Sequence, residues 1–236
     1  MSATVARTGG ISLIVMAIAA AFSYGYIHGS VVVNGDAAAT FARLQSSPSL
    51  FRAEILGWIV IIACDVVAAW ALYQVLRPVH PGLSLLGGPG CAWLIRRYWG
   101  VAVSSLIVVS LLTGGSAPEL SGFTIGQLQG EVMLALQGFE AVWSAGLILF
   151  GGHLLVVGLL AVRAENIPKP LSVLLLLAGF GYMALHLCSL LVPEYTGFIQ
   201  MVKWIFILPM TAGELGLGIW LLFRIPAPRV HAAAAS

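Results

Sequence analysis

Charged side chains are scarce in this chain of 236 residues: 11 Lys and Arg and nine Asp and Glu make up only 8% of it. Globular domains carry roughly 25% charged residues, so a soluble fold of this size has too little polar surface to cover its apolar groups. The net charge is only +2, which gives no sign of the basic surface that nucleic-acid binding needs. The lack of charge therefore excludes a soluble domain and argues against a nucleic-acid partner.

Cysteine and catalytic motifs are also nearly absent. Cys64, Cys91 and Cys188 are scattered within apolar segments, without the paired spacing of a zinc or thioredoxin-like site, and packing is their expected role. We find no His-Glu-x-x-His, Gly-x-Ser-x-Gly or phosphate-loop motif. No enzyme class is favoured by a motif, so the choice between enzyme and non-enzyme stays open, with a non-enzyme favoured.

Apolar residues make up most of the remaining sequence, with 60% hydrophobic residues and a mean hydropathy of +1.00. A helix needs about 20 apolar residues to cross the hydrocarbon core of a bilayer. Six segments meet or approach that length: 11–27, 55–76, 91–112, 141–162, 171–191 and 204–223. They predict an all-α polytopic membrane protein with one domain of six transmembrane helices.

The basic residues predict the orientation of these helices, because cytoplasmic loops are enriched in Lys and Arg. With the N-terminus in the cytoplasm, the cytoplasmic side holds Arg7, Arg77, Arg96, Arg97, Arg163, Lys169, Arg224 and Arg229. The opposite side holds only Arg43, Arg52 and Lys203. We therefore expect both termini in the cytoplasm of a multi-pass protein of the bacterial inner (plasma) membrane, with the lipid bilayer as its first partner.

Three stretches outside the regular spans carry further structural signals. Asn34-Gly35-Asp36 precedes a short polar and apolar stretch, which predicts an interfacial helix over about 36–45 capped by Asp36. The stretch 124–140 is compatible with a separate interfacial helix or with a protruding start of the fourth crossing. Gly87-Gly88-Pro89-Gly90 is expected to interrupt the third helix.

Three ionisable residues lie near the centres of separate spans: Asp65, His153 and Glu214. Each precedes a basic cytoplasmic marker by 10 or 12 residues, which places all three roughly 15 to 18 Å above the same interface. Ionisable groups at this depth cost a few kcal/mol each, so membrane proteins usually retain them for a function. The sequence therefore predicts a ligand or proton site at this level.

Two carboxylates and an imidazole are compatible with several chemistries. They could exchange a proton with a ligand, bind a divalent metal, or form a structural polar cluster that fixes helix register. No cofactor is predicted, and metal or haem binding stays open as a minor alternative. Arg96 and Arg97 are charge-partner candidates for a midplane carboxylate, although Arg side chains also extend to a membrane interface.

A second polar set lies toward the non-cytoplasmic ends of the helices and consists of His186, Tyr182, Glu140 and His28. These side chains could form the mouth of a pocket. Alternatively, they form an ordinary amphipathic interface at the level of the lipid headgroups. Haem ligation by His153 and His186 is disfavoured because the two residues lie at different depths.

Several short sequence segments resemble those of a bacterial family of six-helix membrane proteins, known as domain of unknown function 4386. They are Gly35-Asp36-Ala37-Ala38-Ala39-Thr40, the run from Asp65 that ends in Ala71-Leu72-Tyr73-Gln74-Val75-Leu76-Arg77-Pro78-Val79, Phe150-Gly151-Gly152-His153-Leu154-Leu155, and Gly213-Glu214-Leu215. The resemblance covers most of the chain, from about Gly9 to Phe223. It implies the six-helix architecture and implies no chemistry.

The leading functional hypothesis is that the protein binds a small or lipid-soluble molecule in an intramembrane cavity. Proton-linked transport of that molecule is an extension of this hypothesis. The competing hypothesis is a non-catalytic accessory or interaction subunit of a membrane complex, with another membrane protein as partner. A membrane oxidoreductase subunit is third. A cavity that reaches Asp65 would favour the first hypothesis over the second.

Overall fold

The computed structural model describes residues 3–114 and 122–223, which fold into helices joined by short connections and contain no strand. In chain order the helices are α1 (Ala3–Val31), α2 (Ala37–Ser46), α3 (Pro48–Leu76), α4 (Pro81–Thr113), α5 (Ile125–Arg163), α6 (Lys169–Leu191) and α7 (Thr196–Phe223). All except α2 are long and apolar enough to cross a membrane. The predicted class, an all-α polytopic protein with six spanning helices, is confirmed.

The spanning helices extend further than the predicted apolar cores, mainly toward the end of the bundle where α1 ends and α3 begins, which we call the outer end. α3 begins at Pro48 rather than near residue 55, because proline is favoured in the first turn of a helix. α5 begins after Thr124, whose hydroxyl accepts from the Gln127 backbone while the Gln127 side chain accepts from the Thr124 backbone. The stretch 124–140 is therefore the start of the fourth crossing.

The short helix α2 packs at the outer end of the bundle. Asp36 precedes it and accepts a hydrogen bond from the Ala39 backbone at 2.8 Å, as expected for a helix N-cap. The Thr40 hydroxyl bonds both the N–H and the carbonyl of Val33, and Phe41 and Leu44 are buried. α2 is thus attached to the bundle through its apolar face, and its position on a membrane surface stays a prediction.

The expected interruption of the third crossing is present near the start of α4. Gly88 has φ −97° and ψ −108°, outside the helical region, and Pro89 follows it. The backbone over Leu86–Gly90 is π-helical. A Cβ atom on Gly87 would lie 2.5 Å from Val156 of α5, so the glycine allows this irregular turn to approach α5.

A second π-helical segment, Ala21–His28, forms the outer part of α1. At its end the Gly29 N–H bonds the Tyr24 carbonyl, five residues earlier. Ser23 of this segment lies against α3 so closely that a Cβ atom on Gly57 would come within 1.9 Å of the Ser23 hydroxyl oxygen. Short π segments inside longer helices occur frequently at functional sites.

The six spanning helices form a closed ring in which each packs against its neighbours in sequence and α7 packs against α1. Glycines permit the closest contacts. A Cβ atom on Gly10 of α1 would lie 2.7 Å from the Gly218 carbonyl oxygen of α7, and one on Gly151 of α5 would lie 2.7 Å from the Gly179 carbonyl oxygen of α6. Small residues commonly serve this purpose at helix contacts in membranes.

The predicted placement of both termini in the cytoplasm stays a prediction. An even number of crossings puts the two ends of the chain on the same side of the membrane. The excess of basic residues is the argument that this side is the cytoplasm. Arg224 and Arg229, which contribute to that excess, lie outside the described residues. The remaining cytoplasmic candidates include Arg77 at the end of α3 and Arg163 at the end of α5.

Candidate functional site

The three predicted midplane residues lie on alternate helices of the ring, with Asp65 on α3, His153 on α5 and Glu214 on α7. Asp65 and His153 are buried and Glu214 is partly buried. One carboxylate oxygen of Asp65, one of Glu214 and the Nδ1 atom of His153 are inaccessible and have no hydrogen-bond partner. All three residues therefore carry an unsatisfied polar atom inside the bundle.

Each midplane residue interacts with a group on a neighbouring helix. Asp65 lies within electrostatic range of Arg96 on α4, and Glu214 faces the Tyr182 hydroxyl on α6. His153 faces the backbone of Gly87 in the irregular turn of α4. Within the described part of the chain, no hydrogen bond or ion pair joins the three residues directly, so their action as one site stays a prediction.

The two arginines of α4 behave differently. Arg96 is partly buried and lies within electrostatic range of Asp65. Arg97 is exposed, and its guanidinium carbon lies 4.6 Å from the centroid of the Trp93 ring, within the range of a cation–π contact. Arg96 is thus the better placed of the two, and its role as a charge partner of Asp65 stays a prediction.

The closest ionic contacts among the described residues lie near the outer end, where α1, α3 and α5 meet. The Nδ1 atom of His28 lies 2.7 Å from Oε1 of Glu54, and its Nε2 atom lies 3.2 Å from Oε1 of Glu140. One imidazole therefore connects two carboxylates from two other helices. We call these three residues the outer triad.

Glu54 is the most enclosed member of the outer triad, with 0% of its surface exposed. Its Oε1 atom also accepts a hydrogen bond of 3.2 Å from Nε1 of Trp58, and its backbone carbonyl accepts one from the Ser23 hydroxyl. Its Oε2 atom has no partner. A buried carboxylate oxygen without a hydrogen-bond partner is costly in a protein interior and calls for an explanation.

The sequence interpretation missed Glu54 because it began the second span at residue 55 and left Glu54 in the preceding loop. Two signals could have identified it. Ser47-Pro48 is a typical helix start, and Glu54, Trp58, Ile61 and Asp65 follow the spacing of one helix face. The structure buries this whole stripe, so Glu54 and Asp65 lie on the same side of α3, three turns apart.

Glu140 connects the outer triad with the other residues predicted for the outer pocket. The Tyr24 hydroxyl faces it, and it lies within electrostatic range of His186 of α6. His186 in turn has Nδ1 3.2 Å from the Ser144 hydroxyl oxygen, and its ring stacks on Tyr182 with centroids 6.2 Å apart. Since Tyr182 faces Glu214, the four predicted outer residues are linked to the midplane by contacts and, between Glu140 and His186, by an electrostatic interaction.

Aromatic rings surround the outer triad and continue into the bundle. Tyr24 stacks on His28 with ring centroids 5.4 Å apart. The centroid of the Phe139 ring lies 5.7 Å from that of the same imidazole. The series continues through these ring pairs: Trp58–Phe139, Trp58–Trp143, Trp99–Trp143, Trp99–Phe150 and Phe150–His153. The series of ring contacts thus runs without a gap from His28 to His153.

The outer triad does not have the geometry of a metal site, because the two nitrogens of one imidazole point to different carboxylates. In the parts of the chain that the structure describes, no group of three or more His, Cys, Asp and Glu side chains is suited to hold a metal. A surface pocket is lined by Gln74, Arg77, Pro78 and Pro81. None of the candidate site residues contributes to this pocket.

Comparison with known proteins assigns the family. The model of the family described as Domain of unknown function (DUF4386) matches residues 8–224. The chain belongs to this family. An uncharacterised protein of Archaeoglobus fulgidus is 28% identical over 141 residues, which cover 59% of this chain and 68% of the relative. No solved structure matches the chain.

All three midplane residues, the outer triad and the residues of the predicted outer pocket lie inside the matched region. Membership of the DUF4386 family is consistent with the six spanning helices of the structure. The family description carries no activity, so the function must be argued from the site.

Proposed function

We propose that the protein binds a small or lipid-soluble molecule within its helix bundle and that binding is coupled to protonation of buried carboxylates. The observation that carries this proposal is a set of inaccessible polar atoms without hydrogen-bond partners on four ionisable side chains: Oε2 of Glu54, Oδ2 of Asp65, Nδ1 of His153 and Oε1 of Glu214. The proposed location is the bacterial inner membrane.

Unpaired polar atoms are a strong argument because buried polar groups in proteins are nearly always hydrogen-bonded. Three of the four atoms are carboxylate oxygens, which accept hydrogen bonds in their ionised form. A ligand that offers N–H or O–H groups would supply the missing bonds. A lipophilic amine or a quinol has this chemistry and dissolves in the bilayer.

Coupling to protons follows from the chemistry of the carboxyl group. An ionised carboxylate only accepts hydrogen bonds, whereas its protonated form also donates one. A single proton therefore changes what Asp65 or Glu214 can bind. The contacts from Glu140 through His186 and Tyr182 to Glu214 support communication between the outer end and the midplane.

The substitution Asp65→Asn tests this proposal, because asparagine retains hydrogen bonds but cannot titrate. We expect the variant to fold like the wild type and to lose the pH dependence of binding. The measurement is calorimetric titration of the detergent-solubilised protein with a lipophilic primary amine and with a quinol at several pH values. Thermal unfolding is recorded in parallel.

Glu131→Gln is the matched control, since Glu131 is exposed on α5, and this variant should retain the wild-type pH profile. An Asp65→Asn variant that loses about 3 to 5 kcal/mol of stability but binds both probes with the wild-type pH profile contradicts the proposal. That result would support the accessory or interaction subunit, in which the polar groups only hold the helices together.

A further inference from the structure

We propose that Glu140, His28 and Glu54 form a relay through which the enclosed Glu54 exchanges a proton with water at the outer end of the bundle. This inference goes beyond the proposed function, because it requires no ligand and does not involve the midplane residues. It assigns Glu54 as a proton-binding site, His28 as the connecting group and Glu140 as the group in contact with solvent.

The three side chains form a gradient from solvent to the interior. The side chain of Glu140 is 41% exposed, that of His28 is 9% exposed and that of Glu54 is fully enclosed. The distances of 3.2 Å from Glu140 to Nε2 and 2.7 Å from Nδ1 to Glu54 are both within hydrogen-bond range. The imidazole is the only described side chain that bonds both carboxylates.

The proton transfer consists of two linked steps. Protonated Glu140 gives its proton to Nε2 of a neutral His28 imidazole, and the Nδ1 proton moves to Oε1 of Glu54. At the end Glu140 is ionised, Glu54 is protonated and His28 is again neutral, with its proton on Nε2 instead of Nδ1. No proton is created or lost, and release from Glu54 follows the same steps in reverse.

The surroundings of His28 favour this route over rotation of the ring. Tyr24 stacks on the imidazole and Phe139 contacts it, so both ring nitrogens stay directed at their carboxylates. Because uptake and release follow the same path in opposite directions, the relay requires no ring rotation. The π-helical backbone of α1 positions Tyr24 and His28 together.

Other ionisable groups lie near the outer triad. Tyr24 on the same helix and His186 on α6 both interact with Glu140. On α2, Arg43 donates to the Ser30 carbonyl at 2.9 Å, just beyond the end of the π segment. Among the described residues, the Glu54 carboxylate receives only the hydrogen bonds from His28 and Trp58.

The free oxygen of Glu54 is the second observation that supports the relay. Both hydrogen bonds to the carboxylate end on Oε1, and Oε2 is inaccessible and without a partner. A purely structural carboxylate that is buried in the protein is expected to have both oxygens satisfied. An oxygen that is free to change its bonding partner suits a group that binds and releases a proton.

The experiment is time-resolved infrared spectroscopy of the detergent-solubilised protein after mixing with D₂O. The carbonyl stretch of a protonated carboxylic acid shifts when its proton is replaced by deuterium, so each band reports its own exchange rate. Glu54→Gln should remove one such band. Glu140→Gln and His28→Gln should retain this band and slow its exchange by roughly 10²-fold or more, the size of effect typical of a positioned acid–base group.

Glu131→Gln is the matched control, since Glu131 is exposed on the same helix as Glu140, and it should leave the Glu54 band and its exchange rate unchanged. If Glu54→Gln does not fold, Glu54→Asp is used instead, and the band should shift rather than disappear. Wild-type exchange rates in both Glu140→Gln and His28→Gln would overturn the relay. Absence of a band that responds to substitution of Glu54 would overturn the assignment of Glu54 as the proton-binding site.

Discussion

At Glu54 one carboxylate oxygen accepts hydrogen bonds from His28 and Trp58, while the other accepts none. The residue is fully buried, so a lost donor cannot be replaced by water. Removing one partner of a buried ionic contact is more harmful than removing both, because a single removal leaves a charge without compensation. The outer triad is therefore expected to respond strongly and non-additively to substitution.

His28→Ala removes the group that connects two carboxylates. We expect the free energy of unfolding to fall by about 3 to 5 kcal/mol, because Glu54 is left buried without its closest partner. Addition of Glu54→Gln should restore part of this loss, since the double variant no longer buries an uncompensated charge. The measurement is equilibrium unfolding in mixed micelles of increasing denaturing-detergent content.

His80→Ala is the control for the His28 experiment. His80 is exposed, and its side chain only accepts a hydrogen bond from the Leu83 backbone at the start of α4, so a loss of about 1 kcal/mol is expected. If His28→Ala costs no more than His80→Ala, the outer triad contributes little to the stability of the bundle.

Individual residues show where sequence reasoning succeeds and where it stops. Asp65 and His153 could be identified from the sequence as candidate site residues, because placing an ionisable residue in a membrane-spanning apolar run costs free energy. Both side chains are buried in the structure. Glu54 was overlooked because it lies at the boundary of the apolar run, where the sequence does not indicate whether the helix has begun. The partners of each residue depend on contacts between helices, which a single sequence does not contain.

The two π-helical segments differ in how well the sequence indicates them. Gly87-Gly88-Pro89-Gly90 predicts an interruption, since proline removes a backbone donor and glycine tolerates unusual angles. The segment Ala21–His28 contains no proline, and in the structure its Ser23 hydroxyl donates a hydrogen bond to the Glu54 carbonyl of α3. The sequence therefore predicts the break in α4 but not the one in α1, although α1 carries His28.

The contact between α5 and α6 can be tested with two neighbouring glycines. Gly151→Ala would place a Cβ atom 2.7 Å from the Gly179 carbonyl oxygen and 3.0 Å from the Met183 backbone nitrogen. Since backbone atoms cannot move aside easily, we expect a loss of about 1 to 3 kcal/mol. The measurement is the same detergent unfolding experiment.

Gly152→Ala is the matched control for Gly151→Ala, because a Cβ atom at Gly152 meets nothing within 4 Å. Alanine is preferred over glycine in helices by up to about 1 kcal/mol, so this variant should be equal to the wild type or slightly more stable. Equal effects of the two substitutions would show that α5 and α6 do not approach each other at Gly151.

At the scale of the whole molecule, the number of crossings was predictable and their arrangement was not. Long apolar runs indicate spanning helices directly, and the confirmed fold class rests on them. The closed ring depends on which faces meet, such as the contact between Gly10 of α1 and Gly218 of α7. Short connections favour neighbours in sequence, but they do not predict that the last helix joins the first.

The orientation of the ring in the membrane can be measured with reporter fusions. Fusions after Arg77 and after Arg163 should behave as cytoplasmic, because the excess of basic residues lies on that side. A fusion near Glu119, outside the described residues, should behave as non-cytoplasmic. A periplasmic signal from the fusion at Arg77 would reverse the predicted topology.

Because the ring of helices is closed, its helices could also be connected in a different order along the chain. A Cβ atom on Gly9, near the beginning of α1, would lie 3.7 Å from Leu221, near the end of α7, so the first and last helices meet at the same end of the bundle. Joining them by a linker and opening the chain at the turn after Arg77 gives a circular permutant with the same helix neighbours. In such a molecule α4 would be first and α3 last, and the outer triad would still be assembled from α1, α3 and α5.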